Sequence, residues 1–153
     1  MTTHFAIRGI QPSDFSQWKV LWDGYNAFYG REGATALPLE TTQLTWQRFQ
    51  DPAEPMHALV AEQGGQLLGL VHFLYHRSTI AKGLNCYLQD LFTSAASRGQ
   101  GVGRALIDAV YAQARGAGSP RVYWHTQNHN ATARRLYDQV ALDPGFMVYQ
   151  KLL

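Results

Sequence analysis

The chain holds a single cysteine, Cys86, so no disulfide can close within it, and a reducing cytoplasm is the expected setting. Excess charge is scarce as well. Thirteen basic against eleven acidic side chains leave a formal net charge of +2, too little to indicate a nucleic-acid-binding surface. No apolar run approaches the roughly 20 residues of a membrane span. The opening Met-Thr-Thr-His-Phe lacks the basic flank and apolar core of a signal peptide. Neither nucleic acid nor membrane is therefore expected as a partner. Internal repeats, linkers and low-complexity segments are missing too. With 46% hydrophobic residues over 153 positions, the expectation is one domain spanning 1–153 with a sizeable core.

The residues that carry chemistry concentrate between Cys86 and Leu106. Tyr87 to Phe92 reads as a strand with a carboxylate, Asp90, inside it. Gly99, Gly101 and Gly103 then alternate with Gln100 and Val102, and an apolar-periodic helix follows. Glycines there let the backbone turn tightly and let a ligand approach its amides. The free amides and positive dipole end of the following helix favour an anion, so the turn reads as a phosphate or pyrophosphate cradle.

Three kinds of cradle use such a turn. A P-loop needs Lys-Ser or Lys-Thr after the last glycine, and Arg104-Ala105 stand there instead. A dinucleotide fingerprint counted from Gly101 places Leu106 at its third glycine, and the next strand, Arg121 to Thr126, ends without the acid that would hold a ribose. The third pattern, Arg/Gln-x-x-Gly-x-Gly/Ala, is matched by Arg98-Gly99-Gln100-Gly101-Val102-Gly103. On these residues the chain resembles the GNAT superfamily of N-acetyltransferases, whose loop of this kind holds the pyrophosphate of acyl-CoA.

The rest of the chain fits that resemblance. Phe5 to Arg8 alternates as a short strand, and Ser13 or Asp14 is placed to cap a first helix over about 14 to 29. A loop from Gly30 to Pro38 precedes a second helix from Thr41 to Gln50. His57–Glu62 and Leu67–Tyr75 read as strands around the turn Gln63-Gly64-Gly65-Gln66, the second apolar enough to be buried on both faces. A loop from Arg77 to Asn85 leads to the central strand. After the glycine turn comes a helix carrying Val102, Leu106, Ala109, Val110 and Ala114, stopped by Gly116-Ala117-Gly118. Arg121 to His125 reads as a strand, Asn130 to Val140 as a helix with Asn128 or Asn130 as its cap, and Phe146 to Leu152 as a terminal strand. The order β–α–α–β–β–β–α–β–α–β predicts an α/β (α+β) fold: a mixed, mostly antiparallel central sheet with helices on both faces. The resemblance covers nearly the whole chain and implies a splayed cleft for acyl-CoA.

A second motif is Asn130-Ala131-Thr132-Ala133-Arg134-Arg135-Leu136-Tyr137, which resembles the GNAT pattern Asn-x-x-Ala-x-x-x-Tyr. Asn130 and Tyr137 lie two helical turns apart and share a face with Ala133 between them. The resemblance implies acetyl-CoA (coenzyme A) as cofactor. Its contacts would be Leu91, Phe92 and Thr93 of the central strand, the turn Arg98, Gly99, Gln100, Gly101, Val102, Gly103 and Arg104, and Asn130, Ala133 and Tyr137. Tyr137 would be the proton donor to the leaving thiolate, and a backbone amide near Leu91 to Thr93 would hold the oxyanion. Helix capping for Asn130 and core packing for Tyr137 are the structural alternatives.

An alkylammonium with a pKa of about 10 is protonated at neutral pH and must lose a proton before it can attack a thioester. Cys-Tyr-Leu-Gln-Asp-Leu-Phe resembles a subgroup that includes spermidine/spermine and histone/polyamine acetyltransferases, some of which carry Glu-Asp where this chain has Gln89-Asp90. Gln89 cannot be a base. Asp90 stands as base or ammonium anchor, with a purely structural ion pair as the alternative, and a bulge at this point could re-aim either side chain. Tyr25 and Tyr29 are secondary acceptor-pocket candidates with Gln89, Asp90 and His125, and His125 is the alternative base. His72 and His76 share a strand face, and His125 and His129 flank a turn, but none has the spacing of a metal site. Residues 1–62 carry four basic groups against seven acids, and residues 94–140 six against two, which fits a polyanionic cofactor on the second half and a cationic acceptor near the first.

The expected activity is transfer of an acetyl group to a primary amine (of a polyamine, another small amine, an amino acid or a protein lysine) by direct attack in a ternary complex. A non-catalytic acyl-CoA-binding module is the alternative that Gln89 keeps open. A homodimer is implied by the resemblance alone.

Overall fold

The computed structural model describes residues 4–153, so Met-Thr-Thr at the start lies outside the described residues. Five strands form one sheet in the order β1 (Ala6–Gly9), β2 (Met56–Gln63), β3 (Gln66–His76), β4 (Asn85–Thr93) and β5 (Val122–Tyr123). The first four pair antiparallel, and β5 joins β4 in parallel. Helices α1 (Phe15–Phe28) and α2 (Leu39–Gln50) cover one face, and α3 (Val102–Gly116) and α4 (Ala131–Val140) the other. This is the mixed, mostly antiparallel sheet between helical layers that the pattern predicts.

The two faces have different cores. Trp18, Leu21, Trp22 and Tyr25 recur at three- and four-residue spacing along α1 and bury one stripe against Val60, Leu67 and Leu70 of the sheet. On the opposite face, Val102, Leu106, Ile107, Val110 and Ala114 of α3 pack on Leu59, Val71, Phe73 and Leu88. Strand β3 is buried from Leu67 to Phe73 and supplies both cores, which explains why its sequence is apolar without alternation. Arg8 pins the start of α1 to the sheet edge: it donates to both carboxylate oxygens of Asp14 at 2.7 and 2.9 Å and also to Glu62. Asp14 thus serves Arg8 and the Gln11 amide, and makes no side-chain cap to α1.

The chain departs from the sequence reading at its end. The terminal strand expected over Phe146 to Leu152 does not form, and residues 142–153 belong to no helix or strand. No ladder pairs this segment with a strand, and its large side chains are exposed, Phe146 by 85% and Tyr149 by 89%, while Val148 and Gln150 line a cavity that also touches α1, α2, β3 and β4. Strand β5 is also shorter than the predicted Arg121 to His125. Only Val122 and Tyr123 pair, with Cys86 and Tyr87. Beyond Tyr123 the two chains part, and the β4 edge that faces β5 has no ladder partner there.

Gly69 of β3 lies where strand β4 and the start of α3 both approach closely. A Cβ at this position would sit 2.8 Å from the Phe92 carbonyl oxygen and 3.1 Å from Val102 Cγ1. Gly69→Ala is therefore expected to cost about 1–3 kcal/mol in urea unfolding, and an unchanged midpoint would contradict the packing described.

Candidate functional site

The register between β3 and β4 shifts between His72 and Phe73: His72 pairs with Asp90, and Phe73 pairs with Leu88. Gln89 is the extra residue of a β-bulge. On a regular strand Leu88 and Asp90 would share a face. The extra residue sends Leu88 into the aliphatic core and Asp90 to the aromatic side, beside α1.

Asp90 reaches a cavity of about 930 Å³ between α1, α2, β3 and β4. The sequence-predicted acceptor residues Tyr25, Tyr29, Gln89, Asp90 and His125 all line it. Asp90 is buried, and its Oδ2 lies 2.9 Å from His72 Nδ1. Burial raises the pKa of Tyr25, and the Asp90 carboxylate adds to the shift. The same two causes, in the same order, act on Tyr29 and Tyr87. Tyr25 and Tyr29 also stack near the guanidinium of Arg31, whose carbon lies 5.8 and 5.5 Å from their ring centres. Arg31 Nε donates to Asn26 Oδ1 at 2.6 Å, which steadies its place at the wall. Arg48 of α2 lines the same cavity. His125 is exposed at the mouth, its Nδ1 3.3 Å from the Tyr87 hydroxyl.

His72, Trp22, Phe49, Arg31 and Arg48 line the cavity without having been singled out for it. His72 carried one sequence signal, its strand position, and the register that sets it opposite Asp90 depends on the bulge. Arg31 falls in the loop after α1, where no periodicity marks a direction.

The glycine turn lies at the other end of β4. Gly99 and Gly101 have φ of 75° and 81°, in the left-handed region where an L-residue is strained, and no heavy atom lies within 4 Å of a Cβ built on either. The first intrahelical bond of α3 runs from the Ala105 amide to the Gly101 carbonyl at 3.0 Å. The amides of Val102, Gly103 and Arg104 therefore point out of the helix start unpaired. Open backbone, unpaired donors and the exposed side chains of Arg98 and Arg104 suit a pyrophosphate. Arg98 Nε lies 3.4 Å from the Thr93 carbonyl, and its guanidinium carbon 5.9 Å from the Phe92 ring centre. Leu136 of α4 and Thr93 of β4 both approach Gly103, at 3.6 and 3.8 Å from its would-be Cβ. The end of β4, the start of α3 and the flank of α4 thus converge.

The remaining predicted contacts divide by what their side chains do. Leu91 packs against the aliphatic core and Phe92 against the aromatic one, so their backbone is what they offer to the gap beside β4. Asn130 precedes α4 but makes no side-chain cap. Its Nδ2 approaches Thr126 Oγ1 at 3.5 Å. Ala133 is half-buried on α4. Tyr137 packs edge-on to Trp124 with ring centres 5.4 Å apart, and burial, assisted by Tyr29, pushes its hydroxyl up to about 12. Cys86 is fully buried, which raises its thiol to about 11.

Comparison with known proteins gives a consistent answer. The sequence profile of the acetyltransferase (GNAT) family matches residues 18–141. The D-amino-acid N-acetyltransferase HPA3 of Saccharomyces cerevisiae is 33% identical over 148 residues, covering 95% of this chain and 89% of HPA3. In fold, a transcriptional regulator from Bacillus halodurans C-125 superposes with a TM-score of 0.83 at 19% identity, over 98% of this chain and all of that one. AAC(6')-Iy in complex with a bisubstrate analogue, CoA-S-monomethyl-acetylneamine, superposes with a TM-score of 0.80 at 16% identity, over 99% of this chain and all of that one.

A side chain at Gly101 must carry left-handed strain of about 1–2 kcal/mol to keep this turn, and a turn that relaxes away from φ 81° no longer presents its amides to coenzyme A. Gly101→Ala is expected to lower coenzyme A affinity about tenfold by calorimetry. Unaltered affinity would remove Gly101 from the cradle.

Proposed function

The chain belongs to the GNAT acetyltransferase family, and on that premise we propose that it is an acetyl-CoA-dependent N-acetyltransferase, a single domain over residues 1–153, that acts on the primary amine of an amino acid. One observation carries the choice of acceptor. A buried carboxylate, Asp90, and two guanidinium groups, Arg31 and Arg48, line the same cavity. A zwitterion satisfies both signs at once, its ammonium on Asp90 and its carboxylate on the arginines. A polyamine would bring several positive charges toward Arg31 and Arg48, and a protein lysine has no carboxylate of its own to offer them. HPA3, a D-amino-acid N-acetyltransferase, acts on an acceptor of the same class.

Acetyl-CoA, when bound, supplies an acetyl thioester open to attack by an amine. The side chains and backbone do the rest. Val102, Gly103 and Arg104 offer amides to the pyrophosphate, with Arg98 and Arg104 beside it, and Asn130 and Ala133 line the path along α4. Asp90 anchors the acceptor ammonium and takes its proton, directly or through water, which frees the nitrogen lone pair. In this reading a developing oxyanion takes a backbone amide of the Leu91 to Thr93 stretch, where those of Leu91 and Thr93 face the edge of β4 that β5 leaves open. Tyr137, with its pKa raised by burial, keeps its proton through the neutral range and holds it available to a leaving thiolate. Cys86 takes no part: it is buried and its thiol is protonated at neutral pH.

The homodimer is a further part of the proposal. It is supported by the exposed apolar segment Phe146, Met147, Val148 and Tyr149 and by the open outer edge of β5, which a second copy can cover. Sedimentation equilibrium of a dimer that is lost when Phe146 and Tyr149 are both changed to serine is expected, and a monomer at all concentrations would remove it. No helix is long and apolar enough to cross a membrane among the described residues, and a cytoplasmic setting is proposed on the single buried thiol.

Two variants test the assignment of charge. Asp90→Asn is expected to lower kcat/KM by roughly 10²- to 10³-fold with acetyl-CoA affinity unchanged. Arg31→Ala is expected to raise KM for amino acids about tenfold or more and to leave KM for simple alkylamines near its starting value. Full turnover in Asp90→Asn, with binding retained, would instead move the proton transfer to another group such as His125.

A further inference from the structure

Behind Asp90, a line of polar groups runs into the aromatic core. Trp18 Nε1 lies 3.0 Å from His72 Nε2, and His72 Nδ1 lies 2.9 Å from Asp90 Oδ2. Trp18 is 0% and His72 2% exposed. The imidazole is boxed by Trp18, Trp22 and Phe49, with ring centres 5.9, 5.2 and 4.5 Å away.

Hydrogen-bond chemistry orders this line. An indole N–H can only donate, so the nitrogen it faces must present a lone pair. The remaining ring proton then sits on Nδ1 and is donated to Asp90. A second proton on Nε2 would set two donors face to face at 3.0 Å among aromatic rings that leave the imidazole 2% exposed.

We propose that Trp18 and His72 are positioning residues that act through Asp90: Trp18 locks His72 as the neutral Nδ1–H tautomer, and His72 in turn holds Asp90 as an anion aimed at the pocket. An imidazolium at this place would cancel the carboxylate's charge and weaken its hold on an ammonium. The lock keeps that charge available through the range of about pH 5 to 8 in which an unconstrained histidine titrates. This rests on Asp90 as the ammonium anchor.

Other groups face Asp90 from the pocket side. Tyr25 of α1, which also hydrogen-bonds Asp90, Tyr29 just after that helix and Tyr87 of β4 have their hydroxyls raised, first by burial, and the guanidinium groups of Arg31 and Arg48 line the same cavity. Among the described residues, the rings and hydrogen-bonding groups placed against His72 are Trp18 and Trp22 from α1, Phe49 from α2 and Asp90 from β4. His125 is the other histidine lining the cavity, at its mouth on Tyr87, and must be separated in the test.

Two readouts test the proposal. In ¹⁵N-histidine-labelled protein, the resonances of His72, identified among six histidines by their loss in His72→Asn, are expected to report a neutral Nδ1–H ring from about pH 5 to 8. An Nε2–H ring, or conversion to imidazolium in that range, would overturn the proposal, with His72→Asn needed only to assign the resonances. In the second readout, Trp18→Phe frees Nε2, and kcat/KM is expected to gain an acid limb, falling about tenfold per pH unit below about 6.5, carried by KM. Asparagine at position 72 keeps an N–H donor near Asp90 and cannot be protonated, so Trp18→Phe/His72→Asn is expected to lose that limb. A Trp18→Phe profile without the limb, or a limb that persists in the double variant and so belongs to His125, would also overturn it. An Nδ1–H ring in a protein whose Asp90→Asn variant turns over normally would sink the anchor reading alone. An Nε2–H ring alongside an inactive Asp90→Asn would sink this proposal alone.

Discussion

Strand β4 carries one residue more than β3 can pair, and the placement of the carboxylate depends on it. Without Gln89 as the extra residue, Asp90 would turn toward α3 and enter the aliphatic core with Leu88, where a charge has no partner. With it, Asp90 meets His72 across the ladder and opens onto the cavity, while Leu91 and Phe92 resume the alternation between the two cores. A local irregularity thus lets one strand be a core element for most of its length and a site element at one position. The indole and imidazole behind it turn the bulge from a geometric device into an electrostatic one.

Close approach of the layers then fixes what surrounds that carboxylate. Gly24 of α1 packs so near Phe92 that an added Cβ would lie 2.8 Å from its ring, and Gly69 does the same for β3 against the start of α3. The first contact sets the depth of the aromatic wall that holds Tyr25 and Tyr29. The second brings the helix start, with its unpaired amides, to the end of β4. On the proposed function, the distance along β4 from Asp90 to Thr93 separates the amine from the pyrophosphate. Parting of β5 from β4 after Tyr123 leaves the gap between them.

Much of this was legible in the sequence because it is local. The three- and four-residue spacing of Trp18, Leu21, Trp22 and Tyr25 marks α1, Gly64-Gly65 marks the hairpin, and Gly99 to Gly103 marks the turn by a backbone need that few other residues meet. What escaped is tertiary. His72 opposite Asp90 is a consequence of register, which one inserted residue changes, so no count along the chain finds it. Arg31 and Arg48 come from the acid-rich half. Its net charge suggested a cationic acceptor there, yet the charged side chains of that half that line the cavity are the two arginines, and the one carboxylate, Asp90, comes from β4. The terminal segment has the residues of a strand, but a strand forms only when its ladder is made, and 146–152 pair with neither of the open edges of β4 and β5.

The central claim is that the cavity around Asp90 and the cradle before α3 serve one reaction, and thiol release from acetyl-CoA tests it most directly. The protein would be assayed against D- and L-amino acids, polyamines, aminoglycosides and lysine-bearing peptides under one set of conditions. The account predicts release with amino acids at a kcat/KM well above that for the other classes. Tight acetyl-CoA binding with no release for any acceptor would contradict it and make the chain a non-catalytic acyl-CoA-binding module.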